Sequence, residues 1–312
     1  MEEAPWDLII IGAGPAGLTA GIYGARSGLD TLVLEKGMPG GGLYEAPLVE
    51  NYPGFPDGIS GQELAGKMME QCENAGAEIH FMENVTNIEL QGRKKLVTTD
   101  KALYSCDSMI IATGTKHRRL GIPSEETFRG RGISYCAVCD GPLFKDKKLI
   151  VVGGGNSAAI DALHLSNLTS SVKLIHRRDS LRAERALVDD IKRNGVEILY
   201  NTEVKEFRGD ERVRSVLLNH NKTGDLTEID VDGAFIAIGT IPNTEIVRRL
   251  GVKLENGYIV VDQRQMTNIE GIYAAGDVTM CPHRQIGKAI GDAIVAATEA
   301  YGYIKRPYYY QY

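Results

Sequence analysis

Two three-layer α/β domains, the second inserted into the first, are predicted for this chain of 312 residues from three observations. A strand-like apolar run, Leu8-Ile9-Ile10-Ile11, leads into Gly12-Ala13-Gly14-Pro15-Ala16-Gly17. A second run, Leu149-Ile150-Val151-Val152, leads into Gly153-Gly154-Gly155-Asn156-Ser157-Ala158. Between them lies a single Cys-x-x-Cys, Cys136-Ala137-Val138-Cys139, followed at once by Asp140. The two glycine-rich segments are copies of one unit, because 153 − 12, 155 − 14 and 158 − 17 all give 141. A lone G-x-G-x-x-G is weak evidence, since many turns use glycine. Here each copy follows a buried-strand pattern and opens a helix-like stretch. The first Gly makes the tight turn, the second lets backbone approach a pyrophosphate, and the third position must be small for helix and strand to pack. The helix start then offers free N–H groups and partial positive charge to phosphates. Both domains are therefore read as Rossmann-like nucleotide-binding domains.

Taken along the chain, the second strand of each unit separates the two sites. Thr31-Leu32-Val33-Leu34 ends in Glu35, whose carboxylate can accept hydrogen bonds from a ribose diol and repels a 2′-phosphate. That site suits the adenosine of FAD or NAD. At the same offset the second copy has His176, and the chain continues Arg177-Arg178-Asp179-Ser180-Leu181-Arg182. Guanidiniums suit a phosphate monoester through charge-assisted, bidentate bonds, which selects NADPH. The plainer alternative is a solvated basic face.

After the first unit come a glycine-rich loop, 37–42, and a turn-rich segment, 50–56. A helix is expected from about Gly61 to Ala75, with Leu64, Met68, Met69 and Cys72 inward. Strand patterns follow at Glu78–Met82, Val85–Leu90 and Lys95–Thr99. Two strands ending in small-residue turns, Ile110-Ile111-Ala112-Thr113-Gly114-Thr115 and Phe235-Ile236-Ala237-Ile238-Gly239-Thr240, mark the expected crossings between domains. The expected domains are 1–115 with 246–312, and the inserted 116–245. Ile272-Tyr273-Ala274-Ala275-Gly276-Asp277 closes the first domain before a helix from about Gln285, and the tail Tyr308–Tyr312 is expected to be mobile.

Composition narrows the function classes. Lys+Arg 35 against Asp+Glu 41 gives a net charge of −6, which argues against nucleic acid or an acidic membrane as the main partner. No apolar run is long enough to span a bilayer. A first strand near Asp7 leaves no room for a signal peptide. The cysteines are five: 72, 106, 136, 139 and 281. So sparse and odd a set does not form a secreted disulfide framework. A cytoplasmic location is expected.

A Cys-x-x-Cys brings two sulfurs within bonding reach at a turn or helix start, which lowers one thiol's pKa towards neutrality. Asp140 can move a proton to or from a leaving thiol, and can equally cap a helix. Half a zinc site is the alternative reading, but structural zinc wants about four ligands, and only Cys281-Pro282-His283 is on offer. A buried pair of core cysteines is a further alternative, although Gly132, Asp140 and Gly141 point to a turn. Cys106 and Cys281 are expected to be buried as small apolar residues.

From about residue 5 to residue 304 the chain resembles the low-molecular-weight thioredoxin reductases. The resemblance rests on the first glycine fingerprint, Glu50-Asn51-Tyr52-Pro53-Gly54, Ala112-Thr113-Gly114, Pro123-Ser124-Glu125-Glu126 and Gly130-Arg131-Gly132. It continues through Cys136–Asp140, Gly153–Ala158, His176-Arg177-Arg178, Arg182-Ala183-Glu184, Pro242-Asn243, Gly276-Asp277-Val278 and Arg284-Gln285. It implies FAD in the first domain, with the pyrophosphate on Gly12, Gly14, Pro15, Ala16 and Gly17, and Glu35 on the ribose. Gly42, Leu43, Asn51, Thr113, Gly114, Gly276, Asp277, Arg284, Gln285 and Ile286 complete that implied site, Asp277 at the ribitol. It implies NADPH at Gly155, Asn156, Ser157, His176, Arg177, Arg178 and Arg182. Cys139 would face the flavin and Cys136 would attack the disulfide of thioredoxin or a thioredoxin/glutaredoxin-like protein. A homodimer, and rotation of the inserted domain about its two linkers, are implied too. The sequence departs from the pattern at Gly42, where many members carry Gln, and at Val138, where Thr is frequent. Competing functions are the same fold with another electron donor, a peroxiredoxin reductase of the alkyl-hydroperoxide type, and a non-catalytic redox sensor.

Overall fold

The computed structural model describes residues 5–46, 48–281 and 283–306. The expectation for Tyr308–Tyr312 lies outside the described residues. The chain falls into two compact units, Met1–Lys116 with Ile241–Tyr312, and His117–Thr240.

The first unit is organised on a seven-stranded sheet. Glu78–His80, Thr31–Leu34, Trp6–Ile11 and Leu103–Ile111 run parallel in that spatial order. Leu103–Ile111 is long enough to serve two partners on its far edge. Its first half pairs antiparallel with Lys94–Thr99, which pairs antiparallel with Val85–Gln91 to complete a meander, and its second half pairs parallel with Ile272–Ala274. Leu8, Ile9, Ile10, Leu32 and Val33 are fully enclosed because helices and meander cover both faces, which explains unbroken apolar runs where an exposed sheet would alternate. On one face the helix Pro15–Arg26 packs on Ile286–Lys305 through Ala289, Ala293, Ala296, Ala297 and Ala300, all buried. The helix Gly61–Asn74 is capped by the Ser60 hydroxyl, which accepts from the Glu63 N–H at 3.1 Å. It buries Leu64, Met68 and Cys72, as its spacing predicts. On the other face, Ile9, Ile11, Met109 and Ile111 meet Ile88 and Val97 of the meander, together with Val247. The strand expected to reach Met82 stops at His80, since Met82 takes a left-handed backbone with φ 55°.

The second unit repeats the plan. Glu197–Leu199, Val172–Ile175, Leu149–Gly153, Gly233–Ala237 and Ile133–Ser134 form a parallel five-stranded sheet in that order. The helices Asn156–Ser166 and Arg185–Arg193 supply Ala158, Ala159, Ala162, Leu165 and Ile191 to one core. An antiparallel meander, Thr202–Gly209, Val213–His220 and Leu226–Asp230, supplies Val204, Phe207, Val216 and Leu218 to the other. Sheet, helices and meander make the three layers of an α/β unit. Among the described residues no helix is long and apolar enough to cross a membrane.

Candidate active site

In the first unit the turn after Trp6–Ile11 is built around atoms a side chain would displace. Gly12 holds φ 103°, and a methyl on Gly17 would collide with the Gly12 carbonyl. The helix starts at Pro15 from an extended Gly14 and has no side-chain cap, so its first N–H groups remain for an anion. A Cβ on Gly14 would have only the Gly41 Cα, at 3.9 Å, within contact range, and one on Gly42 or Gly114 would meet nothing within 4 Å. These glycines form an open cradle. Glu35 stands at its edge, one carboxylate oxygen accepting from the Ala13 N–H at 2.8 Å and the other from the Gly37 N–H at 2.9 Å. Each oxygen keeps lone-pair capacity for a hydroxyl donor.

The other first-unit candidates gather unevenly. A Cβ on Gly276 would lie 3.0 Å from Ala16 Cβ, and one on Gly12 would lie 3.1 Å from Thr113 Cα, so Gly276 and Thr113 border the same turn. Thr113 donates its hydroxyl to the Asn243 carbonyl at 2.7 Å, and Asn243 Nδ2 donates to the Thr113 carbonyl at 2.8 Å. Asn51 Nδ2 donates to Gln285 Oε1 at 3.2 Å, just before the helix that Ile286 begins. Burial pushes the Asp277 carboxyl above its usual range, opposed by Arg284 and Lys288. The Arg284 guanidinium lies over the Tyr258 ring, 4.5 Å from its centroid, while its buried Nε meets no acceptor among the described residues. The Leu43 side chain is a core residue, so its backbone is what it offers a ligand.

In the second unit the helix Asn156–Ser166 likewise starts from an extended, uncapped Gly155, around which a Cβ would meet nothing within 4 Å. Here the third position tolerates a methyl, and Ala158 is fully buried. His176 is buried with Nδ1 2.9 Å from the Gly153 carbonyl and Nε2 3.0 Å from the Ser180 carbonyl. A neutral imidazole can donate to only one of these oxygens. Both carbonyls favour the imidazolium, but burial is the larger influence and pulls the His176 pKa below its ordinary value. The Arg182 N–H donates to the Gly154 carbonyl at 2.7 Å, tying the arginine loop to the glycine turn a second time. Arg177, Arg178 and Arg182 are exposed. The carbonyls of Arg177 and Arg178 are held by Asn221 Nδ2 at 3.0 Å and the Asn201 N–H at 2.9 Å. Asn156 exchanges two hydrogen bonds with Glu184, each of 2.9 Å, and Ser157 is exposed.

The dithiol hangs from an edge strand of this unit. Ile133–Ser134 pairs with Gly233–Ala237, and Cys136 then caps the single turn Ala137–Asp140. Its Sγ accepts from the Cys139 N–H at 3.2 Å, an arrangement that favours a thiolate at Cys136 once reduced. Cys136 and Cys139 are joined as a disulfide. The Asp140 N–H donates to the Cys136 carbonyl at 3.0 Å, so the turn closes on itself. Burial pushes the Asp140 carboxyl up, and a hydrogen bond from Ser134 pulls it back.

Spacing does not reveal Ser134, nor the group behind Tyr135. The Tyr135 ring stacks on His117 at 4.9 Å between centroids, and its hydroxyl donates to Glu125 Oε1 at 2.8 Å while receiving Arg119. Of the remaining cysteines, burial pushes Cys72 and Cys106 up to about 12, which makes both inert. Cys281 is part-exposed rather than buried, its thiol on the His283 carbonyl at 3.2 Å.

The family model described as pyridine nucleotide-disulphide oxidoreductase matches residues 6–300. The chain is 44% identical to a thioredoxin reductase of Listeria innocua over 307 residues, covering 97% of this chain and 95% of that protein. It is 42% identical to a thioredoxin reductase of Bacillus subtilis, covering 97% and 96%. The crystal structure of thioredoxin reductase from Streptococcus pyogenes superposes with a TM-score of 0.92 at 43% identity, covering 97% of this chain and 99% of that one.

Proposed function

Because the chain belongs to the pyridine nucleotide-disulphide oxidoreductase family, we propose that it is an NADPH-dependent thioredoxin-disulfide reductase of the low-molecular-weight kind. The carrying observation is the Cys136–Cys139 disulfide with Asp140 beside it, in the same unit as the second glycine turn. Its cofactors are FAD and NADPH. The unit of Met1–Lys116 with Ile241–Tyr312 is assigned FAD, and the unit His117–Thr240 is assigned NADPH. The open cradle of Gly14, Gly42 and Gly114, the uncapped helix start and the orphaned Arg284 Nε fit a large anionic group. In this reading Gly12–Gly17 hold the pyrophosphate, Glu35 the ribose diol and Asp277 the ribitol, while Asn51, Thr113, Arg284 and Gln285 orient the ring system. Asn156, Ser157, Arg177, Arg178 and Arg182 hold NADPH, with His176 fixing the loop that carries the arginines.

Bound FAD supplies the two-electron relay between NADPH and the Cys136–Cys139 disulfide. From the reduced dithiol onward the chemistry is the protein's own. The Cys136 thiolate, favoured by the Cys139 N–H, attacks one sulfur of the thioredoxin disulfide, and a mixed disulfide forms as a substrate thiolate leaves. Cys139 gives its proton to the Asp140 carboxylate and attacks Cys136 Sγ. The bond between Cys136 and the substrate sulfur it attacked breaks, its electron pair leaves on that substrate sulfur, and the Cys136–Cys139 disulfide is restored. The proton on Asp140 then passes to that thiolate. The working enzyme is assigned to the cytoplasm as a homodimer built through the FAD domain.

The test is NADPH oxidation that depends on oxidised thioredoxin. Turnover that vanishes in Cys136→Ser supports the assignment. A protein that binds flavin yet passes no electrons to thioredoxin would be a sensor, and the assignment would fail.

A further inference from the structure

Ser134 sits at the end of an edge strand with its side chain buried. Its hydroxyl approaches Asp140 Oδ2 at 2.5 Å and the Cys136 carbonyl at 3.4 Å. A hydroxyl has one proton to give, and the shorter, charge-assisted contact takes it. The same oxygen accepts the Cys136 N–H at 3.1 Å. One side chain thus holds the first residue of the redox turn by its amide and the last by its carboxylate.

We propose that Ser134 is a positioning residue for the dithiol turn, orienting the Asp140 carboxylate and keeping it in the ionised form that accepts the Cys139 proton. This rests on the reductase reading given above. Burial alone would favour neutral Asp140, which already carries a proton and cannot take that of an attacking thiol. The Ser134 hydroxyl is the counterweight, because a hydrogen bond to the charged form stabilises it. The titratable groups around the turn are few. The turn itself carries Cys136 and Cys139, Tyr135 adjoins Ser134, and Lys145 follows the next 3₁₀ turn. The helix Asn156–Ser166, packed against the turn, carries Asp161 and His164, and a Cβ on Gly141 would meet the His164 ring at 3.6 Å. Burial and Ser134 are the two influences resolved on Asp140; none of these groups adds a charge effect.

The experiment uses the holoenzyme reduced by one equivalent of NADPH and mixed with oxidised thioredoxin across a pH series. The wild-type reoxidation rate rises as Asp140 ionises. In Ser134→Ala that acid limb moves up by about one pH unit, the value of one hydrogen bond to a charged group. Ser134→Thr keeps the hydroxyl and restores the limb, while Asp140→Asn removes it with or without Ser134. A limb unmoved in Ser134→Ala, or a rate lowered by the same factor at every pH, overturns the proposal. A second readout needs no thioredoxin. The Asp140 infrared carboxyl band, defined by difference from Asp140→Asn, titrates at higher pH in Ser134→Ala. An unchanged band overturns the proposal by itself. Should thioredoxin fail to reoxidise the wild type at any pH, the reductase reading fails, and the band still judges Ser134.

Discussion

The two glycine turns differ most at one matched position. Glu35 and His176 both follow the second strand of their unit and both reach back to the glycine turn. Glu35 accepts from backbone N–H groups, those of Ala13 and Gly37, whereas His176 faces the carbonyls of Gly153 and Ser180. The same fold therefore presents a carboxylate acceptor in one unit and a buried donor flanked by exposed arginines in the other. In the proposed assignment this matched position, with the arginines that follow His176, would separate a site for a free ribose diol from a site for a phosphorylated one.

Exchanging the small residues of the turns should have the largest effect. Gly17→Ala places a methyl into the Gly12 carbonyl, so bound flavin should be lost and stability should fall by about 3 kcal/mol or more. Ala158→Gly empties no clash and should cost about 1 kcal/mol. Flavin content and urea unfolding measure both. A Gly17→Ala protein with full flavin would break the claim that the first turn is the tighter of the two.

The arginines come next. Arg177→Ala with Arg178→Ala removes charge-assisted bonds worth about 1.5–3 kcal/mol each. The kcat/KM preference for NADPH over NADH should fall by roughly 100-fold, with flavin content unchanged. An unchanged preference would mean that these side chains are merely a solvated face.

His176→Gln sharpens the comparison by removing the clamp and leaving the arginines. KM should rise by about 5- to 10-fold for NADPH and NADH alike, as expected for loss of one or two buried hydrogen bonds, with kcat little changed. A rise for NADPH alone would show that His176 touches the phosphate directly instead of positioning the loop.

The remaining effect is on stability against pH rather than on turnover, and it belongs to the second unit. Burial pushes Asp161 up to about 6. A carboxyl whose folded pKa exceeds its unfolded value, about 3.9, contributes fully below that value, and the contribution is lost as pH rises through the folded pKa. Asp161→Asn should therefore match wild type near pH 4, gain up to about 2 kcal/mol by pH 6 and hold that gain above it. Thermal unfolding at each pH follows this, and a pH-independent difference would contradict it.

Much of this was legible in the sequence because backbone geometry itself restricts the residues. Only glycine serves at Gly12, with its φ of 103°, and at Gly17, pressed on a carbonyl, so the repeat at an offset of 141 carried the fold of both units. Glu35, His176 and the cysteines stood at fixed steps from those glycines. The rest depends on tertiary pairing that spacing does not encode. Thr113 and Asn243 meet across 130 positions, Tyr135 meets Glu125 on a helix of its own, and Ser134 faces Asp140 only because an edge strand delivers it. At Leu43 the neighbours line the cradle while its own side chain turns into the core, a division that spacing does not encode. The meander over 202–230 was not anticipated, because its outer strand Leu226–Asp230 is mostly exposed and carries little apolar pattern.

Anaerobic titration of the purified protein, followed in its visible spectrum, tests the central claim most directly. NADPH should bleach the flavin band, NADH should need a far higher concentration, and oxidised thioredoxin should restore the band. A band bleached by dithionite but not by NADPH, or bleached equally well by NADH, would contradict the assignment of the His176–Arg182 loop. A band bleached by NADPH that thioredoxin cannot restore would contradict the path through Cys136.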